Sequence, residues 1–376
     1  MTLIIVESPT KARTFNRYLK GEDYFVFATM GHIRDLPENE LAIDYNNNFA
    51  PKYQPIKNKK KVIDALINLS KKNDEIILAT DLDREGESIS YHIAYILGFI
   101  EEKWPDFKIK NNGQKIKRII FHEITPKALK EALKNPSTLR ENLVKAQQSR
   151  RILDRVVGYE LSPLLWKKIG KKWLSAGRVQ TVALRLIVER EKEIKNFKIE
   201  EFYEVFGFFK KSNQKKEEEL IKAKLISKDD ILYDQKISLK LFANDYTYTK
   251  SSIDEKLKEK IKTDLSDDSF LIEDIQETVE SRYPPPPLTT SLMQQEAFQR
   301  YGFSSRLTMK LAQDLYESGL ITYHRTDSFN LSSSFIFKSR DYIKEKFGED
   351  YLSEKPRNYK TKSKLAQEAH EAIRPT

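Results

Sequence analysis

Four short apolar runs, separated by stretches with helical spacing, constrain the first third of this chain more than any other feature. Leu3–Val6, Tyr24–Thr29, Glu75–Thr80 and Lys117–Phe121 are brief and rich in β-branched and aromatic residues, which reads as strands. After Gly86, residues Ile89, Ile93, Ile96 and Leu97 recur at intervals of three and four, one face of a helix. Thr125-Pro126 supplies an N-cap and a proline at the first helical position for a helix over Lys127–Leu133. Strands alternating with helices predict a mostly parallel sheet covered by helices, an α/β domain. Residues from about 38 to 72, rich in Asn, Pro and Lys, interrupt the pattern and read as an insertion or surface excursion.

At 376 residues the chain is long enough for two or three domains. A helical, basic stretch follows from about 138 to 200, with helices near Val144–Leu161 and Arg178–Phe197; Val179, Val182, Ala183 and Leu186 read as the buried stripe of the second. From 201 to about 280, runs such as Tyr203–Phe208 predict antiparallel strands with one wet face, and Lys215–Glu219 reads as a solvated turn. Tyr283 followed by Pro284–Pro287 is a stiff, extended boundary. Beyond it, Ser291 and Gln294 fit a capping box, Gly302 turns the chain, and Leu307, Leu311 and Leu315 line a second helix ending near Gly319. A strand-like segment, Leu320–Tyr323, leads into His324-Arg325-Thr326-Asp327-Ser328. The expected domains are therefore 1–137, 138–200, 201–282 and 283–376, α/β followed by α+β parts.

Several classes of function are excluded. No apolar run reaches the roughly 18 residues a membrane helix needs, and Met1–Glu7 does not read as a secretory signal. With no cysteine there is no disulfide framework, cysteine nucleophile or zinc ribbon, a usage that suits the cytoplasm. There is no Gly-rich nucleotide loop or Walker lysine, so ATP use is not indicated. Lys+Arg number 66 against 56 Asp+Glu, and a net charge of +10 makes nucleic acid a natural partner.

Asp81, Asp83 and Glu85 follow the apolar run Ile76–Ala79, which places them at the carboxyl end of a strand, where open α/β sheets bind ligands. Crowded carboxylates there repel one another unless a cation or proton intervenes. The spacing resembles the start of an EF-hand, but the loop's twelfth position is His92 and a strand precedes it; magnesium held by a few carboxylates beside a phosphate fits better. If the first strand neighbours the third, Glu7 and Lys11 face this cluster; on spacing alone they also read as a strand-end acid and a surface lysine. Tyr323 and Arg325 share a side of an extended chain. A tyrosine can attack a phosphodiester, although only about 0.1% is ionised at pH 7, so activation costs about 4 kcal/mol unless a base takes the proton. An ordinary strand tyrosine fits the same residues. Gln147, Arg151 and Asp154 share a helix face, Arg150 and Asp154 lie four apart, and with Tyr159, Trp166, Trp173 and Arg178 they can grip single-stranded DNA, or form a basic helix surface over core tryptophans.

Together these segments resemble the type IA DNA topoisomerases of bacteria. The resembling stretches are LIIVESPTKA from residue 3, GHIRDLP from 31, ATDLDREGE from 79 and AQQSRRILDRVVGYELSPLLWKK from 146. LSAGRVQTVALRLIVERE from 174, PLTTSLMQQEA from 287, GLITYHRTDS from 319 and QEAHEAIRPT from 367 continue the series in family order. The resemblance implies a Toprim domain with Glu7, Asp81, Asp83 and Glu85 as its acidic set, Mg2+ mainly on Asp81 and Asp83, and Glu7 near the scissile phosphate. It implies Tyr323 as the nucleophile that joins a DNA 5′-phosphate, with Arg325 and Lys11 as phosphate-stabilising cations. His32, Arg150, Arg151, Asp154, Tyr159, Trp166, Ser175, Ala176, Gly177, Arg178, Val179 and Gln180 match DNA contacts, and His370 and Arg374 a further phosphate-facing segment. The implied activity is ATP-independent cutting, passage and rejoining of one strand of negatively supercoiled DNA by a monomer in the cytoplasm. Family members continue well past HEAIRPT, through a return that closes a ring, so strand cleavage is expected of this chain more than full relaxation. Another Toprim enzyme, a primase or nuclease, would share the acids but have no use for the Tyr323 segment; a DNA-binding fragment without catalysis is the remaining alternative.

Overall fold

The computed structural model describes residues 1–110, 115–210, 220–265, 269–359 and 371–376. The chain divides into two units, Met1–Pro163 with Arg282–Thr376, and Leu164–Ser281. Mixed parallel and antiparallel elements make it a multidomain α/β and α+β chain.

The first unit is built on a four-stranded parallel sheet ordered Lys115–Arg118, Glu75–Leu78, Thr2–Val6, Tyr24–Ala28. Leu3, Ile4, Ile5 and Val6 are all fully buried, as a parallel strand covered on both faces requires. Alternate residues go to opposite faces. Ile4, Val6 and Ile77 pack with Phe15 of α1 (Pro9–Tyr18) and Leu129 of α4 (Pro126–Lys134). Leu3, Ile5, Ile76 and Leu78 pack with Ile63 and Leu66 of α2 (Lys60–Ser70) and with Ile89 and Ile93 of α3 (Arg84–Ile96). The chain leaves the central Thr2–Val6 strand towards one edge and returns to its other side at Glu75. The carboxyl ends of these two strands therefore form the switch point of the sheet.

α2 corrects the expected excursion at 38–72. Its Lys-rich opening masked an apolar face at Ile63, Leu66 and Ile67, and Leu66 is fully buried in the core. Only the part before it, with two-residue ladders pairing Arg34–Asp35 to Gln54–Pro55 and Ile43–Asp44 to Ala50–Pro51, is irregular. The fourth strand ends at Arg118, earlier than expected, because that residue bridges to Ser137; Ile119 and Phe121 are buried beyond it all the same. α5 (Glu141–Ile169) runs past its expected end at Leu161 with Pro163 inside it.

In the last segment of this unit, α8 (Thr290–Tyr301) is capped by Thr289, whose hydroxyl accepts from Leu292 N, so Ser291 lies inside the first turn rather than at the cap. Gly302 takes a left-handed φ of 67° and α9 (Ser305–Glu317) follows. Leu307, Leu311 and Leu315 are each about two-fifths exposed; the buried side is Thr308, Ala312 and Tyr316. α9 lies against α1, where Thr14 donates to Glu317 O at 2.7 Å. Gly319 has φ 78°, and a Cβ on it would lie 2.3 Å from Ile124 O, so no other residue fits. Leu320–Tyr323 is not a strand; Ile321 makes an isolated bridge to Pro375 and Thr322 N donates to Arg374 O. α10 (Ser333–Phe347) completes the unit.

In the second unit, α6 (Arg178–Asn196) precedes antiparallel ladders pairing Phe206–Phe209 with Ile221–Lys224, Ser227–Lys228 with Ile231–Leu232, and Asp234–Lys240 with Asp245–Ser251. α7 (Glu255–Asp264), capped by Asp254, was not expected; its Ile261 joins Tyr233 and Ile253 in a small core. The stripe Val179, Val182, Ala183 and Leu186 is exposed, since spacing marks a face able to be covered but supplies no cover. Lys215–Glu219 lies outside the described residues.

Candidate active site at the carboxyl end of the sheet

Glu7 directly follows the first strand. Ser8 then caps α1, its hydroxyl accepting from Lys11 N at 3.1 Å, with Pro9 at the first helical position. That start puts Lys11 one turn above Glu7. The neighbouring strand delivers Asp81 to the same place, so the fully buried Lys11 ammonium donates to Glu7 and, at 2.6 Å, to Asp81 Oδ1. The alternative of a surface lysine is thereby overturned. Burial first, then the Asp81 charge, pushes the Glu7 carboxyl up to about 8. Burial alone would raise Asp81 too, but the Lys11 charge and hydrogen bond outweigh it and hold Asp81 below its ordinary range. Lys11 is thus shared by two carboxyls, of which Glu7 is the one pushed towards its protonated form and Asp81 the one held ionised.

Asp83 caps α3, its Oδ1 accepting from Gly86 N at 2.9 Å, which leaves Oδ2 3.8 Å from Arg325 Nη1. Gly86 is needed for close packing: a Cβ there would lie 2.2 Å from Asp81 O. Glu85 accepts from Gln147 Nε2 at 3.3 Å and pairs with His32 Nε2 at 3.5 Å, and the hydrogen bond from His32 holds its carboxyl low. Glu7 and Asp81 thus share Lys11, while Asp83 and Glu85 are drawn onto other polar partners. Among the described residues no three His, Asp or Glu side chains are gathered as metal ligands. The donor set is nonetheless all hard oxygen. Asp81 and Asp83 flank one turn, and magnesium needs only one or two carboxylates with waters and a phosphate, so these residues fit such an ion.

Tyr323 reaches this turn from the far end of the sequence. Its backbone N donates to His122 O at 2.8 Å, and its ring packs edge-on against Tyr316, 5.1 Å between centroids, with Lys11 Nζ 5.5 Å from the Tyr316 ring. Tyr323 is 3% exposed. Burial foremost, then the charges of Asp81 and Asp83, push its phenol far above the ordinary tyrosine range, so the hydroxyl stays protonated until a phosphate or cation alters the field. Arg325, half exposed, lies beside Asp83 at the rim of this turn. His324 is buried, and burial chiefly brings its imidazole down to about 4. Arg374 pairs with Glu371 and with Glu123 at 2.9 Å, tying the last residues to the Toprim-like sheet.

His32, Glu85, Gln147, Arg150, Arg151 and Asp154 line a pocket of about 130 Å³. Arg151 also grips Asp35 with two bonds of 2.9 Å. Tyr159 donates to Glu38 O at 2.8 Å. The other expected contacts lie in the second unit. Trp166 Nε1 donates to Leu174 O at 2.6 Å, Gln180 Nε2 donates to Ser175 Oγ at 3.4 Å, Gly177 caps α6 next to Ala176 and Arg178, and Val179 is exposed. His370 lies outside the described residues.

Sequence reasoning missed Tyr316, since the leucine spacing of that helix draws attention to Leu307, Leu311 and Leu315. It also missed Arg118, Glu87 and Arg140, all three held in one buried network. The available signal was Arg118 itself, a charge set directly before the apolar run Ile119–Phe121.

The family model described as DNA topoisomerase matches residues 138–376, and the Toprim domain model matches residues 2–124. DNA topoisomerase 1 of Rickettsia bellii is 46% identical over 100% of this chain and 45% of its own length. That of a Synechocystis species is 44% identical over 99% of this chain and 41% of its own. The structure of full-length topoisomerase I from Thermotoga maritima superposes with a TM-score of 0.72 at 36% identity, over 100% of this chain and 55% of that one. The chain spans about half the length of the curated relatives it matches. On this sequence and this fold, with a Toprim sheet whose acidic turn meets Tyr323, the chain belongs to the bacterial DNA topoisomerase family.

Proposed function

We propose that this chain carries the cleavage and rejoining centre of a type IA topoisomerase, in which Tyr323 attacks a backbone phosphorus of single-stranded DNA. The observation that supports it is the meeting of Tyr323 and Arg325 with Glu7, Lys11, Asp81 and Asp83 at one switch point. A bond forms from Tyr323 Oη to the 5′-phosphate and the bond to the 3′-oxygen breaks. Asp83, whose charge bears on the phenol, accepts the phenolic proton, and the protonated Glu7 donates its own to the departing 3′-oxygen. Arg325 and the buried charge of Lys11 offset the charge that builds on the phosphate. Asp81 and Asp83, with Glu85 and Glu7 nearby, would hold Mg2+, which supplies charge neutralisation at the phosphate. The reverse reaction rejoins the strand, so the ester conserves the energy and no ATP is needed.

The pocket of His32, Arg150, Arg151 and Asp154 together with Tyr159 takes the DNA strand beside the centre, and the family resemblance makes Trp166, Ser175–Gln180 and His370 further DNA contacts. The substrate is single strand exposed in negatively supercoiled duplex, met by a monomer at the nucleoid in the cytoplasm. Cleavage draws on the residues above; strand passage and relaxation are proposed for the whole protein, and DNA binding without completed relaxation is the corresponding reading for this chain alone.

The test is covalent trapping. The chain is incubated with single-stranded DNA labelled separately at each end, quenched with denaturant and resolved on a denaturing gel. A shifted band carrying the 3′-end label, absent in Tyr323→Phe, is expected; no band from a folded chain that binds DNA overturns the catalytic reading.

A further inference from the structure

The turn that presents Asp81 and Asp83 belongs to neither strand nor helix, so its backbone carbonyls need partners outside the regular ladders. Two arginines supply them. Arg118, fully buried at the end of its strand, donates from Nη1 to Leu78 O at 3.2 Å and Thr80 O at 3.0 Å, and from Nη2 to Asp81 O at 2.6 Å. Arg140 Nη2 donates to Leu82 O. One carboxylate joins them. Glu87, also fully buried, accepts from Arg118 Nε at 3.2 Å, from Arg140 Nη2 at 3.0 Å and from Arg140 N at 2.8 Å. The five N–H donors of a guanidinium lie in one rigid plane, so the carbonyl positions are fixed relative to each other and to α3, which carries Glu87. The carbonyls of Asp81 and Leu82 bracket the step from Asp81 to Asp83, and each is held by a different arginine.

We propose that Arg118 and Arg140, linked through Glu87, are positioning residues that set the separation of Asp81 and Asp83 and thereby how tightly that pair holds a divalent cation. This rests on the cation site proposed above. A buried Arg–Glu–Arg group contributes little to stability compared with apolar packing, and here Arg118 and Arg140 between them hold the carbonyls of Thr80, Asp81 and Leu82 in one turn, Arg118 donating as well to Ile119 O at 2.6 Å. Removing a partner that orients metal ligands typically costs 10–100-fold in metal affinity.

The measurement is Mn2+ binding to the purified chain, read from the electron paramagnetic resonance signal of free ion, together with thermal melting of each variant. Wild type should bind Mn2+ and Asp83→Asn should not. Arg140→Lys keeps the charge, is made at a partly exposed side chain and cannot span both Leu82 O and Glu87; it should melt close to wild type and bind Mn2+ about 10-fold more weakly. Arg118→Lys should weaken binding at least as much, and where it fails to fold, Arg140→Lys decides. A folded Arg140→Lys with wild-type Mn2+ affinity overturns the positioning role while leaving the cation site intact. Wild type binding no more Mn2+ than Asp83→Asn overturns the cation site and, with it, this inference.

Discussion

Gly86→Ala sets two opposing effects against each other at the acidic turn. Gly86 lies in the first turn of α3, where alanine ordinarily stabilises a helix by up to about 1 kcal/mol. Here the added Cβ would lie 2.2 Å from Asp81 O and 2.8 Å from both Asp81 C and Asp81 N. A carbon–oxygen contact settles near roughly 3.3 Å, so the backbone of Asp81 has to move by about 1 Å. Arg118 ties the carbonyls of Leu78, Thr80 and Asp81 to one guanidinium, and the displacement cannot spread without breaking those bonds. Overpacking of this kind costs about 1–3 kcal/mol, which offsets the propensity gain of up to about 1 kcal/mol and leaves a net loss of up to about 2 kcal/mol. A shift of about 1 Å in a catalytic group costs about 100-fold in rate. Gly158→Ala is the control: Gly158 lies inside α5 with nothing within 4 Å of its added Cβ, and should gain stability. Thermal melting with single-turnover rejoining of trapped single-stranded DNA reads both effects. A Gly86→Ala chain that melts at or above wild type and rejoins DNA at the wild-type rate would refute the close-packing argument.

Lys11→Met leaves Glu7 and Asp81 buried without their cation, and removing one partner of a buried pair costs about 3–5 kcal/mol. The loss should be largest near pH 8 and shrink towards pH 5, where the carboxyls take up protons; equal destabilisation at both pH values in denaturant titrations would count against it. The adduct yield on single-stranded DNA should fall as pH rises through about 8, because Glu7 donates only in its protonated form, present below that value. Yields measured from pH 6 to 10 that show no such fall, or the same fall in Glu7→Gln, would remove Glu7 from the acid role.

The sheet was legible because parallel strands buried on both faces leave unbroken apolar runs, and Leu3–Val6 and Ile76–Ala79 are such runs. The same runs located Asp81 and Asp83 at strand ends. Strand order was not legible, and with it went the certainty that Lys11 bridges Glu7 to Asp81, a contact between residues 70 positions apart. α2 was missed because Lys60 and Lys61 at its opening hid a face on which Ile63 and Leu66 are buried and Val62, Ile67 and Leu69 pack beside them. On α9 the leucine spacing draws attention to Leu307, Leu311 and Leu315, whereas the buried side is Thr308, Ala312 and Tyr316, which that spacing does not mark. The Arg118–Glu87–Arg140 network was invisible for a related reason: charged residues read as surface until a structure encloses them.

The first unit is discontinuous in sequence, its two parts joined through Leu164–Ser281. In the unfolded chain the entropy of bringing such distant segments together grows only with the logarithm of the intervening length, so doubling or halving that stretch changes the closure term by about 0.6 kcal/mol. The contacts that seat the tyrosine, made by Phe15, Phe121, Ile124, Tyr316 and Tyr323, lie wholly within the first unit. The length of the interposed segment is therefore nearly neutral for assembling the chemistry. Evolution is free to lengthen, shorten or reshape it while the Tyr323 hydroxyl and the Asp81 and Asp83 carboxylates stay in register.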